Sequence, residues 1–307
     1  TPSRKLAWML SSEPYFVGHN RNPALAAHLA ERDRAGELDL VHLEFGYLEP
    51  LLHGLGSRPA RILAEQETMS LMLERLRHVP GALKSAYQLY IVRELRAVRR
   101  FEHDTLPRFD RAFAITPEEA GLFSAILGRP APVLPHVVEA DRFAPPPHEP
   151  TTPVCLFVGN FAHDPNRFAL RWLLAEPWPE IRGRCAGARL EIVGPELPPE
   201  DRRLAEEAGA TVLGRVEDLA AASRRAAVFL NPIRSGGGMR GKVLEAFASA
   251  RPVVSTRLGM EGIAAESGVH FDAADDGVGF AAAVLRLLAD PSLRSARGEE
   301  ARRLVLE

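Results

Sequence analysis

Asn231-Pro232-Ile233-Arg234-Ser235-Gly236-Gly237-Gly238-Met239-Arg240-Gly241-Lys242-Val243-Leu244-Glu245-Ala246 joins the apolar run Val228 to Asn231 to a helical pattern. An apolar run that is continuous rather than alternating marks a strand buried on both faces, so this stretch reads as strand, glycine loop, helix. Glycines ahead of a helix allow positive φ and close backbone approach, so free N–H groups there can surround an anion that also feels the positive end of the helix dipole. Arg240 and Lys242 add fixed charge at that point. A guanidinium clamps phosphate oxygens in pairs and an ammonium acts as a point charge, a combination suited to a pyrophosphate. The plainer reading is a flexible glycine turn with solvated charges. Against it, cations in a first helical turn oppose the dipole, at about 0.3–1 kcal/mol unless an anion offsets them. Glu245, one turn further on, is placed to accept hydrogen bonds from ribose hydroxyls.

Outward from this loop, apolar runs alternate with helical patterns along the whole chain. Strands are expected near Leu38–Glu44, Arg61–Glu65, Arg111–Thr116 and Pro132–Leu134, with one long helix from about Met69 to Glu102. A second series runs Val154–Val158, Arg189–Val193, Thr211–Leu213, Val228–Asn231, Pro252–Thr256 and Val269–Asp272. Between them Phe143 to Pro153 is too rich in proline for a helix interior or a central strand, and reads as an interdomain linker. The expected fold is α/β, two doubly wound domains spanning 1–145 and 151–307, with a cleft at the carboxyl ends of their strands.

At 307 residues the chain has room for two cores, and its 38 basic residues nearly balance 40 acidic ones, which gives no reason to expect a nucleic-acid partner. Cys155 and Cys185 are its only two cysteines, too few for a disulfide scaffold, and suit a reducing, cytoplasmic compartment. No apolar run approaches the roughly 20 residues needed to span a bilayer.

The second half resembles the donor domain of retaining GT-B glycosyltransferases of family 4, also called glycosyltransferase group 1. Phe157-Val158-Gly159-Asn160-Phe161 followed by His163-Asp164-Pro165-Asn166 is similar to the opening of that domain in a subgroup linked to exopolysaccharide and exosortase-associated sugar transfer. Ile192 to Pro195 and Leu213-Gly214-Arg215-Val216 resemble the two segments lining the family's nucleotide pocket. Arg251 to Thr256 and Gly259 to Gly262 resemble the strand and loop after its donor helix. Asp164 and Pro165 read locally as N-cap and first helical position. The resemblance implies two Rossmann-like domains facing a cleft. It also implies a donor site built from Gly159, Asn160, Gly214, Arg215, Val216, Gly237, Gly238, Met239 and Glu245. The Arg and Lys that many relatives carry after the first strand of this domain are absent here, which leaves Arg240 and Lys242 to offset charge on the departing diphosphate. The sequence departs from the family at Gly237, where the first of two paired glutamates is expected. Only Glu245, the second, is present.

The first half is more weakly similar to the family's acceptor domain. Asp39 to Glu44 resembles a strand ending at the cleft, and Leu134 to Phe143 the segment crossing to the donor domain. Gln66, flanked by Glu65 and Glu67, stands where relatives often carry a functional histidine; it can orient a hydroxyl but cannot shuttle a proton. His42 is a further cleft candidate or a satisfied core imidazole. Arg93, Arg96, Arg99 and Arg100 form a basic stripe beside apolar residues, which fits either a solvated helix face or contact with anionic lipid. The family's first strand and its C-terminal crossing helices are not visible, so truncation at both ends is expected.

Together these readings lead to a hexosyltransferase that uses a UDP- or GDP-sugar as donor substrate and a saccharide or lipid-linked acceptor, with no metal and no further cofactor. It would be cytoplasmic, with peripheral contact at the inner face of the membrane as an option. Two alternatives stay open: a non-catalytic sugar-nucleotide-binding protein, and a GT-B epimerase acting on UDP-N-acetylhexosamine.

Overall fold

The structure, a computed structural model, describes residues 12–77, 85–236 and 239–307. It divides into two compact units, Thr1–Pro135 with Gly236–Met239, and His136–Ser235 with Arg240–Glu307.

In the first unit, β1 (Leu40–Leu43), β2 (Ala60–Ala64) and β3 (Arg111–Phe113) form a parallel sheet in that order. In β1 only Val41 and Leu43 face inward; they pack with Leu63, Ala112 and Phe123. The helix Pro117–Leu127 starts on Thr116, whose hydroxyl accepts the Glu119 N–H at 3.2 Å, and stops at Gly128, which takes φ +63°.

Two expectations for this unit are corrected. The fourth strand is a single bridge, Ala114 to Val133, because Pro132 and Pro135 carry no N–H with which to extend a ladder. The long helix is two helices, Met69–Leu76 and Ser85–Thr105. Pro80 and Gly81, both unfavourable inside a helix, fall in 78–84, outside the described residues.

The second unit holds β4 (Val154–Val158), β5 (Arg189–Val193), β6 (Thr211–Gly214), β7 (Val228–Asn231), β8 (Val253–Ser255) and β9 (Asp272–Ala273). All pair in parallel in the order β6-β5-β4-β7-β8-β9. This is the doubly wound Rossmann order, which reverses direction between β4 and β7. Every residue of β4 is buried, and alternate ones serve opposite layers. Cys155 and Phe157 pack with Trp172, Trp178 and Phe280, while Leu156 and Val158 pack with Val243, Phe247 and Ala301. That two-sided burial is why the run lacks polar alternation. The last strand lies later than expected: Phe271 makes an isolated bridge to Ser267, and the ladder with β8 begins only at Asp272.

The proline-rich stretch is anchored to the second unit. Phe143 packs against Ala220 and Ala248. Glu149 receives Arg251 at 3.1 Å and lies 3.5 Å from Arg294, and both guanidiniums are buried.

Candidate functional site

Within the second unit, the switch between β4 and β7 sets the loop after β4 beside the start of the helix Gly241–Ala248, at the carboxyl ends of the strands, where open α/β sheets hold ligands. After β4, Gly159 donates its N–H to Val193 at 2.9 Å. A β-carbon at Gly159 would stand 3.1 Å from Cβ and Cγ of Asn166, so glycine leaves room for that amide. Asn160 caps the turn: its carbonyl accepts His163 N–H at 3.3 Å and Asn166 Nδ2 at 2.8 Å, and its Oδ1 accepts Ala162 N–H at 3.1 Å. The helix that follows is Asp164–Ala175 with His163 as N-cap, one residue earlier than the sequence suggested, and Asp164 is its first helical residue.

After β7 the backbone is pinned before it turns. Asn231 Nδ2 donates to Ser255 Oγ at 3.0 Å and to the Gly259 carbonyl at 2.8 Å, and Thr256 Oγ1 donates to the Ile233 carbonyl. Arg234 lies over the Trp172 ring at 4.9 Å. The chain then enters the helix Gly241–Ala248, whose N-cap is Arg240 and whose first turn contains no acid. Gly237 and Gly238 lie outside the described residues; Met239 is half-buried.

Lys242 reaches back to the first loop. Its Nζ donates to Asn166 Oδ1 at 2.9 Å and lies 5.4 Å from the centre of the Phe157 ring. Enclosure of the ammonium, with the neighbouring Arg240 charge, lowers its pKa to about 7, and Glu245 opposes that shift. The side chain as a whole retains some exposure, but the charged end governs the shift. Glu245 is half-buried, and desolvation raises its pKa against the pull of Arg142 and Lys242. Arg142, named from sequence only as part of the crossing segment, is thereby an electrostatic partner of the proposed ribose ligand.

The β5 and β6 ends complete this side of the sheet. Gly194 takes φ +142° and donates to the Gly214 carbonyl at 2.8 Å; Gly214 takes φ +67°. Arg215 is exposed, and Val216 packs against the core beneath. Thus Lys242 meets Asn166 beside Gly159 and Asn160, with Arg240 and Glu245 acting on its charge, while Arg215 stays on the exposed side of its turn. The sequence placed Asn166 in the stretch that resembles the family's domain opening but gave its side chain no role; its other local signal is its place early in the helix after β4.

In the first unit Gln66 Nε2 donates to Glu44 Oε2 at 2.6 Å, and His42 Nε2 lies 3.7 Å from Glu44 Oε1. His42 is exposed, which removes the buried-imidazole alternative. Glu65 is buried, accepts the Gly46 N–H at 2.8 Å, and is held protonated to well above the usual carboxylate range by desolvation, with Glu102, Glu119 and Glu67 adding to the rise. Along Ser85–Thr105, Ile91, Leu95 and Val98 are buried against Met69 and Leu73, so that apolar face is used within the unit. Arg93 and Arg99 pair with Glu94 and Glu74 at 2.7 and 2.6 Å.

Among the described residues no three His, Cys, Asp or Glu side chains gather where they could hold a metal ion. None of the described helices is long and apolar enough to cross a membrane.

Residues 152–290, somewhat under half of the chain, are similar to the family described as Glycosyl transferases group 1. No curated protein matches the chain in sequence. Among solved structures it is similar to a mutant of S. aureus TarM in complex with fondaparinux, alpha-GlcNAc-glycerol and UDP, with TM-score 0.70 and 13% identity over 92% of this chain. It spans 55% of that structure, about half its length. Sucrose-phosphate synthase from Thermosynechococcus elongatus matches with TM-score 0.67 and 19% identity, covering 92% of this chain and 72% of that one. Anabaena HepE in complex with UDP and glucose matches with TM-score 0.65 and 13% identity, covering 91% and 76%. The fold is that of the GT-B glycosyltransferases, with parallel α/β units of Rossmann type.

Proposed function

We propose that this chain is a metal-independent glycosyltransferase. It would move a hexosyl group from a UDP- or GDP-sugar, with retention at the anomeric carbon, to a hydroxyl of a saccharide or lipid-linked saccharide in exopolysaccharide or cell-surface glycan synthesis. The observation that carries this reading is the placement of Arg240 and Lys242 at the opening of the helix Gly241–Ala248, beside the β4 loop at the switch point of the sheet. As the bond from the anomeric carbon to the diphosphate oxygen breaks, its electron pair leaves with the phosphate, and these two cations offset the growing charge. Gly159, Asn160, Gly237, Gly238 and Met239 would line the diphosphate, Gly214 to Val216 the base, Glu245 the ribose, and Gln66 would orient the acceptor hydroxyl. The family match over 152–290 and the UDP found in the TarM and HepE structures support the donor class. The chain would act in the cytoplasm, with peripheral contact at the inner membrane face as an option when the acceptor is lipid-linked.

Incubation of the full chain with UDP- and GDP-sugars, with and without saccharide acceptors, tests this. Acceptor-dependent nucleotide release that disappears in the Arg240→Ala/Lys242→Ala variant is expected. Unchanged turnover in that variant overturns the reading; donor interconversion without acceptor indicates an epimerase, and binding without turnover a non-catalytic protein.

A further inference from the structure

Of the 38 lysines and arginines in this chain only three are lysine, Lys5, Lys84 and Lys242. Elsewhere the sequence meets its need for positive charge with arginine, so a lysine at 242 calls for a reason specific to the place. A guanidinium there would need planar room and would stay charged at any working pH; an ammonium is compact, has three donors, and yields its proton when enclosed. The structure gives Lys242 a neutral partner, since Asn166 Oδ1 accepts from Nζ at 2.9 Å. That amide is itself held, because Nδ2 donates to the Asn160 carbonyl at 2.8 Å and the Asn166 N–H donates to the His163 carbonyl at 3.1 Å. Gly159 leaves the space the amide occupies.

We propose that Asn166 is a positioning residue that aims the Lys242 ammonium at the diphosphate of a bound nucleotide. The proposal rests on the donor-site reading above. A carboxylate at 166 would hold the ammonium more tightly and compete with phosphate for it, whereas an amide fixes its position and leaves its charge uncompensated. The charged groups acting on Nζ are Arg240 and Glu245 of its own helix and N-cap, and Arg142 acts on Glu245. On the facing helix His163 is the N-cap, and Asp164 lies 3.6 Å from Arg167. An anion arriving beside Lys242 favours its charged form, so affinity for nucleotide should fall as pH rises above the midpoint of the free protein, about 7.

With three lysines, isotope labelling of that residue type gives three side-chain signals, and Lys242→Arg identifies the one that matters. Asn166→Ala should move the Lys242 midpoint to lower pH, Asn166→Asp to higher pH, and Gly159→Ala, which crowds the amide without altering its chemistry, in the same direction as Asn166→Ala. Calorimetry with UDP and GDP should show about tenfold weaker binding in Asn166→Ala, with the pH break displaced as the lysine midpoint is. Circular dichroism confirms folding, and Asn166→Asp and Gly159→Ala carry the test if Asn166→Ala does not fold. Unmoved lysine midpoints and unmoved pH breaks in folded variants overturn the inference. Wild-type chain that binds neither nucleotide, or binds equally with Lys242→Met, overturns the donor reading and the inference with it. Binding that depends on Lys242 but not on Asn166 overturns the inference alone.

Discussion

A β-carbon on Gly194 would lie 1.7 Å from the carbonyl oxygen of Gly159. The ends of β4 and β5 are thus in backbone contact, and with φ +142° at Gly194 only glycine satisfies both the space and the conformation. Gly194→Ala is expected to destabilise the chain by about 2–4 kcal/mol, since neither backbone can yield without breaking the parallel ladder. Urea unfolding of the variant checks this; a change within about 0.5 kcal/mol would show that the loops part easily.

Glu149 serves two buried cations. Arg251 and Arg294 are 2% and 6% exposed, and removing their shared carboxylate leaves charge buried without its counterion. Glu149→Ala should cost about 3 kcal/mol in denaturant unfolding. Adding Arg251→Met should restore part of the loss; a double variant less stable than Glu149→Ala would show that the guanidinium contributes through its bonds to the Ala226 and Ser249 carbonyls instead.

The pH dependence of stability carries a sign set by Glu102, which burial raises to about 7 while the Ser70 N–H bond, at 3.0 Å, pulls it down. A carboxyl raised in the folded state contributes stability that is complete below its unfolded value and lost as pH rises through about 7. Glu102→Gln keeps an acceptor for Ser70 and cannot ionise. It should therefore match the wild type at pH near 4 and exceed it by about 1–2 kcal/mol at pH near 8, after allowing for partial exposure. Thermal unfolding at both pH values decides; equal curves at high pH would place the ionised group in water.

Glu245 should report on the sugar of the nucleotide. Wild-type chain is expected to bind UDP about tenfold more tightly than its 2′-deoxy counterpart, and Glu245→Ala to bind the two alike. Calorimetry measures both ratios, and discrimination that survives the substitution would assign the ribose to another residue.

Much of this was legible because it is local. β4 and β7 are written in uninterrupted apolar runs, since strands covered on both faces have no polar side to show. Asn231 to Ala246 announces strand, glycine turn and cationic helix start in order. Where the reading slipped, local signals were weak: two prolines reduced an expected strand at 132–134 to one bridge, and Pro80 and Gly81 stood unheeded inside an expected helix.

The sequence alone marked most of the strands and helices, and the pair of cations that opens a helix behind glycines, because period, capping and turn chemistry act over a few residues. Tertiary structure alone decided that Lys242 meets Asn166 across 76 residues and that Arg251 meets Glu149 across 102. It also decided that enclosure lowers the Lys242 ammonium to about 7. Distance and dielectric are properties of the packed sheet, and no neighbouring residue encodes them.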